Sequence, residues 1–445
     1  MAEPDAELKG TKAAAAKSPR DFDTWIKLGQ ANNSARNFTQ AAEAFEKAVT
    51  LRPDDFTAEA ALAVALTNAG SYADGEAHAF RAVELAPKDA RSHASLAFAL
   101  YGSGKHEEAL AAADRALALG AGDQLAQLVR LGVLLSLRRF DDAADAGLAA
   151  LKQWPNEPAV IRAAAVTAFR AHRFSSAVEL ATALLRHVPN DPEAHLIVGI
   201  GLSGLHRIRE AEDAYRVGLD AAPNDSELLN SLGFLLVVAG RPQEGEPYIR
   251  ASLRNKETWY ANGSLAAALL SLADAFKDED LYEEAISTVD RAILLIAADQ
   301  PDPNEDARLY LQRGYAYART RRFGSAREDF RVALQKASSQ SAVALAAGRN
   351  LRRLNLAILR TPDPPVWLPH AVAGTAAGLL AIAVLGLFIG AFSPEIFTAL
   401  VFGALVATFA AYSLPTLTKL RLGVMEFERQ VGTVPDISLE IIHIG

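Results

Sequence analysis

The sequence predicts an all-α chain: a long array of helix-turn-helix repeats followed by a two-helix transmembrane hairpin. Three observations predict it. Small residues recur every 34 positions, prolines recur in the same register, and two charge-free stretches near the C-terminal end are each long enough for the ~20 residues that span a bilayer. Recurrence at this period marks stacked supersecondary units, none of which can bury its apolar face alone.

Composition narrows the function classes. The 445-residue chain is 50% hydrophobic and carries a net charge of −8. It is therefore not a disordered segment, and it lacks the basic footprint of a nucleic-acid binder, so no nucleic-acid partner is expected. The absence of cysteine removes disulfide frameworks, thiolate metal sites, iron–sulfur clusters and thiol nucleophiles. Residues 1–21 are charged and hold no apolar run of signal-peptide length, and a flexible leader is expected there.

The array starts at residue 22. Ala41, Gly75, Ala109, Ala143, Ala177, Ala211 and Gly245 stand 34 apart, and seven positions after them come Ala48, Ala82, Ala116, Ala150, Leu184, Gly218 and Ser252. Pro53, Pro87, Pro155, Pro189 and Pro223 close most units. Small residues let two helices approach, larger ones fill the space between them, and proline interrupts the chain between units. The first unit joins Trp25, Leu28, Gly29, Ala41, Phe45, Ala48 and Pro53 in one pattern, and on these residues the chain resembles the tetratricopeptide repeat (TPR) family. Two further units, marked by Tyr282 and Ala285 and then by Gly314 and Phe330, follow after insertions, which gives nine repeats over 22–340.

The resemblance implies a right-handed superhelix whose first helices line a concave groove for protein partners. In that family the second, fifth, ninth and twelfth to thirteenth positions of a unit tend to face the ligand. Carried onto this chain, they give Phe98, Tyr101, Leu128, Arg162, Phe169, Arg170, Ile200, Asn230, Phe234 and Tyr315 as partner-binding residues. This floor is apolar and aromatic, which suits an apolar helix or an extended peptide segment. Chaperone-binding members clamp a terminal carboxylate with Lys and Asn, whereas the first repeat here offers Ile26 and Gln30, which argues against that ligand. The same side chains can instead pack between repeats or hold the protein's own tail, and the sequence leaves this open.

Past the array, 341–361 reads as a capping helix and 362–370 as a proline-rich linker. Two transmembrane helices are expected at 371–392 and 396–414. Arg349, Arg352, Arg353 and Arg360 precede the first, and Lys419 and Arg421 follow the second. By the positive-inside rule this predicts a multi-pass membrane localisation with the repeats and both termini cytoplasmic, in contact with membrane lipids. Gly374, Gly378, Gly386 and Gly390 on one span and Ala399, Gly403, Ala407 and Ala411 on the other form small-residue ridges. These pack within the hairpin or also drive homo-oligomerisation, and both readings stand. Residues 415–445 read as an amphipathic helix and a β-prone tail.

Several motifs resemble chemistry without its context. Gly199-Ile-Gly-Leu-Ser-Gly204 has dinucleotide-binding spacing but falls inside a repeat helix and not after a strand. His172 and His206 lie 34 apart because they occupy the same inter-helix turn position of successive units, and no His pair stands four apart with a Glu, so a metalloprotease site is absent. The acidic runs at 278–280 and 299–306 read as solvated loops. No cofactor, no metal and no catalysis are expected. The sequence thus predicts a membrane-anchored protein–protein interaction scaffold or adaptor. The alternatives are a structural or assembly subunit of a membrane complex, or a receptor or holdase for apolar client segments.

Overall fold

The computed structural model describes residues 3–120, 123–297, 302–360, 401–402, 419–422 and 425–428. It divides into two compact units after Lys256. The first unit opens with α1 (Glu3–Lys17) and continues as seven helix pairs. These are α2 (Phe22–Ser34) and α3 (Phe38–Leu51), α4 (Phe56–Asn68) and α5 (Tyr72–Leu85), α6 (Ala90–Gly102) and α7 (His106–Leu119), α8 (Gln124–Ser136) and α9 (Phe140–Gln153), α10 (Pro158–Arg170) and α11 (Phe174–His187), α12 (Pro192–Gly204) and α13 (Ile208–Ala221), and α14 (Ser226–Val238) and α15 (Pro242–Asn255). The second unit holds α16 (Trp259–Phe276) with α17 (Glu279–Ile296), α18 (Pro303–Arg319) with α19 (Phe323–Lys336), and a final α20 (Ala342–Arg360). The chain is an all-α repeat solenoid over these helices.

Local chemistry sets each helix boundary. Asp55, Asp89, Asp123, Asp191 and Asp225 precede first helices, and each carboxylate accepts backbone N–H groups of the first turn. Such caps satisfy donors that the helix leaves unpaired. Asp278 and Asp302 do the same for α17 and α18, so the two acidic runs expected as loops also start helices.

The turn inside each pair has one residue in the left-handed region. Arg36, Arg138, His172, His206 and Arg321 take φ near 55–60°, where other repeats use Gly70, Gly104 and Gly240. The exposed His206 is held there by the turn bonds His206 N to Ser203 O and Arg207 N to Leu202 O, both 2.9 Å. A side chain in this conformation costs roughly 1–2 kcal/mol that glycine avoids, partly offset by glycine's greater freedom when unfolded. His206→Gly should therefore stabilise the chain by about 0.5–1 kcal/mol, read as a higher urea midpoint; an unchanged or lower midpoint would show that the turn is not strained.

Ion pairs cross the seams between successive repeats. At the turns, Lys105 reaches Glu76 at 2.6 Å, Arg173 reaches Asp145 at 2.6 Å and Arg241 reaches Glu212 at 2.9 Å. At the alternate seams the pairs sit on helix faces instead, Arg130 with Asp114 at 2.7 Å and Arg162 with Glu193 at 3.0 Å. All are partly exposed, so each contributes little to stability.

Four expectations change. The leader expected to be flexible forms α1, which docks Ala15 and Leu8 against Leu28 and Ala44. Within the stretch expected as a helix from 415 onward, the described residues form two antiparallel strands, β1 (Lys419–Leu422) and β2 (Met425–Glu428), with Lys419 opposite Glu428 and Leu422 opposite Met425. The multi-pass membrane localisation with cytoplasmic termini is overturned, because no helix among the described residues is long and apolar enough to cross a membrane. Among the long described helices, α20 carries four arginines. The two expected spans and their ridges from Gly374 to Gly390 and from Ala399 to Ala411 lie outside the described residues, apart from Val401 and Phe402. Finally, Tyr315 is not available on the groove face, as set out below.

Candidate protein-binding face

In the first unit, each first helix from α4 to α14 packs on the next first helix, while second helices pack on flanking first helices. First helices are therefore the closer-spaced layer and line the inner face. Small residues make the close packing possible. A Cβ on Gly132 of α8 would stand 3.2 Å from the Tyr101 hydroxyl of α6, so the glycine leaves room for the tyrosine tip.

Nine of the ten sequence-predicted residues fall on this layer. Phe98 and Tyr101 lie on α6, Leu128 on α8, Arg162, Phe169 and Arg170 on α10, Ile200 on α12, and Asn230 and Phe234 on α14. All are half-buried except Arg170, which is exposed. They rest on the core: Phe98 and Tyr101 pack against the cluster holding Leu100 and Val133, and Phe169 and Ile200 against the cluster holding Ala165 and Val198. The half that remains open is an apolar and aromatic strip across five consecutive first helices.

The polar members differ from one another. Arg162 bonds Asp191 and Glu193 of the next repeat, and its guanidinium is held above its ordinary pKa chiefly by the Asp191 hydrogen bond. Burial pushes Asp191 up, but the bonds from Arg162 and the Ala194 and Glu193 backbone outweigh it, and the carboxyl sits below its ordinary value. Arg162 thus belongs to a seam between repeats. Arg170 stacks 5.9 Å from its neighbour Phe169 and pairs with no acid among the described residues. Asn230 Oδ1 is buried without a hydrogen-bond partner among the described residues. A buried acceptor left unpaired costs about 1–3 kcal/mol.

Tyr315 lies in the second unit and is 3% exposed. Its hydroxyl donates to Asp274 at 2.5 Å, beside Tyr282 at 2.5 Å and Arg319 at 2.9 Å. Burial and then the hydrogen bond to Asp274 push its pKa upward. It is a buried strut of the α16–α18 packing.

The inner face extends further upstream than those residues indicate. A cavity of 410 Å³ is lined by Ile26, Gln30 and Asn33 of α2, Val64 of α4, Arg91 of α6 and Leu125 of α8. Asn33 Oδ1 is buried and unpaired there, and Arg91 is the sole charged group in the lining. Arg91 and Leu125 occupy the second position of their repeats, so the offset rule that gave Phe98 also reaches them. The dinucleotide-like glycines serve packing: Gly199 faces Tyr215, Gly201 faces Val178 and Gly204 faces the Phe174 ring.

A tetratricopeptide-repeat profile matches residues 12–56, 26–90, 95–158 and 162–226. Among curated proteins, no relative matches. Among solved structures, the fold is similar to a tetratricopeptide repeat protein from Parabacteroides merdae, at 13% identity and TM-score 0.46 over 60% of this chain and 98% of that one. It is also similar to YrrB, described as a TPR protein with an unusual peptide-binding site, at 18% identity and TM-score 0.36 over 42% and 97%. A third likeness is to the Cut9–Hcn1 assembly of the APC/C, at 14% identity and TM-score 0.42 over 91% and 78%. These likenesses concern the fold alone. The matched segments overlie the helix pairs from α2 and α3 to α12 and α13.

Proposed function

We propose that the chain is a protein-interaction scaffold with no chemistry of its own, which recruits a partner by holding an apolar helix or extended segment along the inner face of its first unit. The observation that supports this reading is the strip of half-open Phe98, Tyr101, Leu128, Phe169, Ile200 and Phe234 on successive first helices. Side chains that only packed between repeats would be closed over, as Leu131 and Leu228 are on the same helices. Large aromatic anchors in a partly desolvated floor are the residue types that dominate interfaces.

A crosslinked pull-down compares the full chain with a Phe98→Arg, Phe169→Arg variant whose helicity is checked by circular dichroism. One or two captured proteins should bind the variant at least about 100-fold more weakly, since two anchors at ~2 kcal/mol each are removed. Equal capture by both chains would move the site off this face. Capture of many unrelated apolar peptides would favour the holdase alternative.

A further inference from the structure

The cavity at the upstream end of the inner face has its origin in the repeat pattern. At the fifth position of the first helices the chain places Ile26, Leu128, Arg162, Leu196 and Asn230, but alanine in the second and third repeats, Ala60 and Ala94. The 410 Å³ recess opens against the first of these alanines: Ala60 and Ala61 line it together with Ile26 of α2 and Leu125 of α8. The second position is as selective. Among the seven first helices of the first unit it carries three acids, Asp23, Glu193 and Glu227, and a single cation, Arg91, which lines the recess.

Arg91 is exposed and makes no ion pair among the described residues. Arg162, also on the inner layer, is by contrast bonded to Asp191 and Glu193. The carboxylates at the helix ends that carry Arg91 and Leu125 are engaged: Asp89 accepts from Ser92 N at 3.2 Å and Asp123 from Ala126 N at 2.9 Å. A guanidinium fork set among Ala60, Val64 and Leu125 is matched by one carboxylate, whose two oxygens it can bond side by side. A phosphate group would bring about two charges against this one. Val64 on α4 and Leu125 on α8 continue the lining on either side of α6. A bound chain therefore has contacts both before and after the carboxylate, which belongs to a side chain and not to a chain end.

We propose that Arg91 takes an aspartate or glutamate side chain of the partner segment and thereby fixes the register of that segment on the aromatic strip. The inference rests on the binding reading of the inner face given above. Phe98 lies two helical turns after Arg91 on α6, about 10 Å along the axis and on the same face. The acid and the apolar anchor that meets Phe98 therefore stand about three residues apart in an extended segment, or about seven apart in a helical one.

The test uses the full chain and an array of random peptides of about twelve residues with acetylated and amidated ends. The parent should select peptides that hold one Asp or Glu at that spacing from a large apolar residue. Changing the acid of the best peptide to its amide, or the chain by Arg91→Gln, should each weaken binding at least about tenfold, the scale of one charge-assisted hydrogen bond. Both changes together should cost little more than one of them. The Arg91→Glu chain should prefer the same peptide with Lys in place of the acid, an inversion that a merely structural arginine would not produce. Selected peptides that lack an acid, or that lose as much on Arg91→Gln in their amide form as in their acid form, overturn this proposal alone when the Phe98→Arg, Phe169→Arg chain still fails to bind them. Binding confined to a parallel array with free C-terminal ends also overturns it, because the carboxylate is then a chain end. An array from which the parent selects nothing overturns the binding reading and this proposal together.

Discussion

Replacing Gly199 by leucine should cost about 3 kcal/mol and loosen α12 and α13 together. The expectation rests on how little room the site has. A bare Cβ would already meet the Tyr215 ring, which is 2% exposed and bonded at its hydroxyl to Ser231. Forcing atoms into a packed core costs typically 1–3 kcal/mol and more where neighbours are pinned, against a helix-propensity gain of about 1 kcal/mol for losing glycine. Strain wins. Stability in a repeat array is a sum of local and nearest-neighbour contributions, so the loss should appear as faster amide exchange in α12 and α13 before global unfolding. Protection unchanged there would mean that the tyrosine ring can swing aside. The pairing has an internal control: the repeats with Ala63, Ala97 and Ala165 at this position carry Ala79, Ala113 and Ala181 opposite, all fully buried.

Arg313→Met should be the second large effect, a loss of about 3 kcal/mol. Arg313 forks onto Asp329 with two bonds of 2.8 Å, reaches Asp290 at 2.5 Å and lies 5.3 Å from the Tyr310 ring. Asp329 is 4% exposed, and removing its partner strands a charge in the core, which typically costs 3–5 kcal/mol. Burial already holds the Asp329 carboxyl above its ordinary value despite the arginine. A carboxyl raised in this way binds its proton more tightly folded than unfolded. Stability from it is therefore gained as pH falls below the folded pKa and lost as pH rises from the ordinary value through the folded one. Without Arg313 the window widens upward, so the variant should recover part of its loss between pH 7 and pH 5, and Arg313→Met with Asp329→Asn should recover most of it at neutral pH. Urea titrations at the two pH values decide this. Equal losses at both would place Asp329 in contact with water.

The repeat core was legible because one buried contact recurs with a fixed period, and every copy reports on the same geometry. The inner face was legible for the same reason, since an offset that is right for Phe98 is right for Ile200. Its upstream part, with Asn33, Arg91 and Leu125, obeys that offset too and was passed over. Tyr315 obeys it and fails, because its hydroxyl donates to Asp274, which also accepts from Tyr282; a tertiary hydrogen bond outweighs position in the repeat. α1 was missed because its sequence is charged and weakly patterned, and its order comes from docking on Leu28. In the tail, helical spacing from Leu417 to Val431 competed with β-pairing, and strands formed between Lys419 and Glu428. Charge-free stretches and the basic residues flanking them gave the membrane reading, and among the described residues no helix is long and apolar enough to cross a membrane.

The alternating seam pairs carry information about order. Charge crosses at the turns where repeat three meets two, five meets four and seven meets six, and on helix faces where four meets three and six meets five. A repeat docked one place out of frame during folding, or exchanged with its counterpart in another copy, would bring its charges to seams whose partners stand elsewhere. A slip of two places would bring the turn cations Lys105, Arg173 and Arg241, which stand 68 apart, into one another's positions but would leave the helix-face pairs unmatched. Individually weak contacts thus act as a parity check on assembly, and they bias near-identical units toward a single sequence of neighbours.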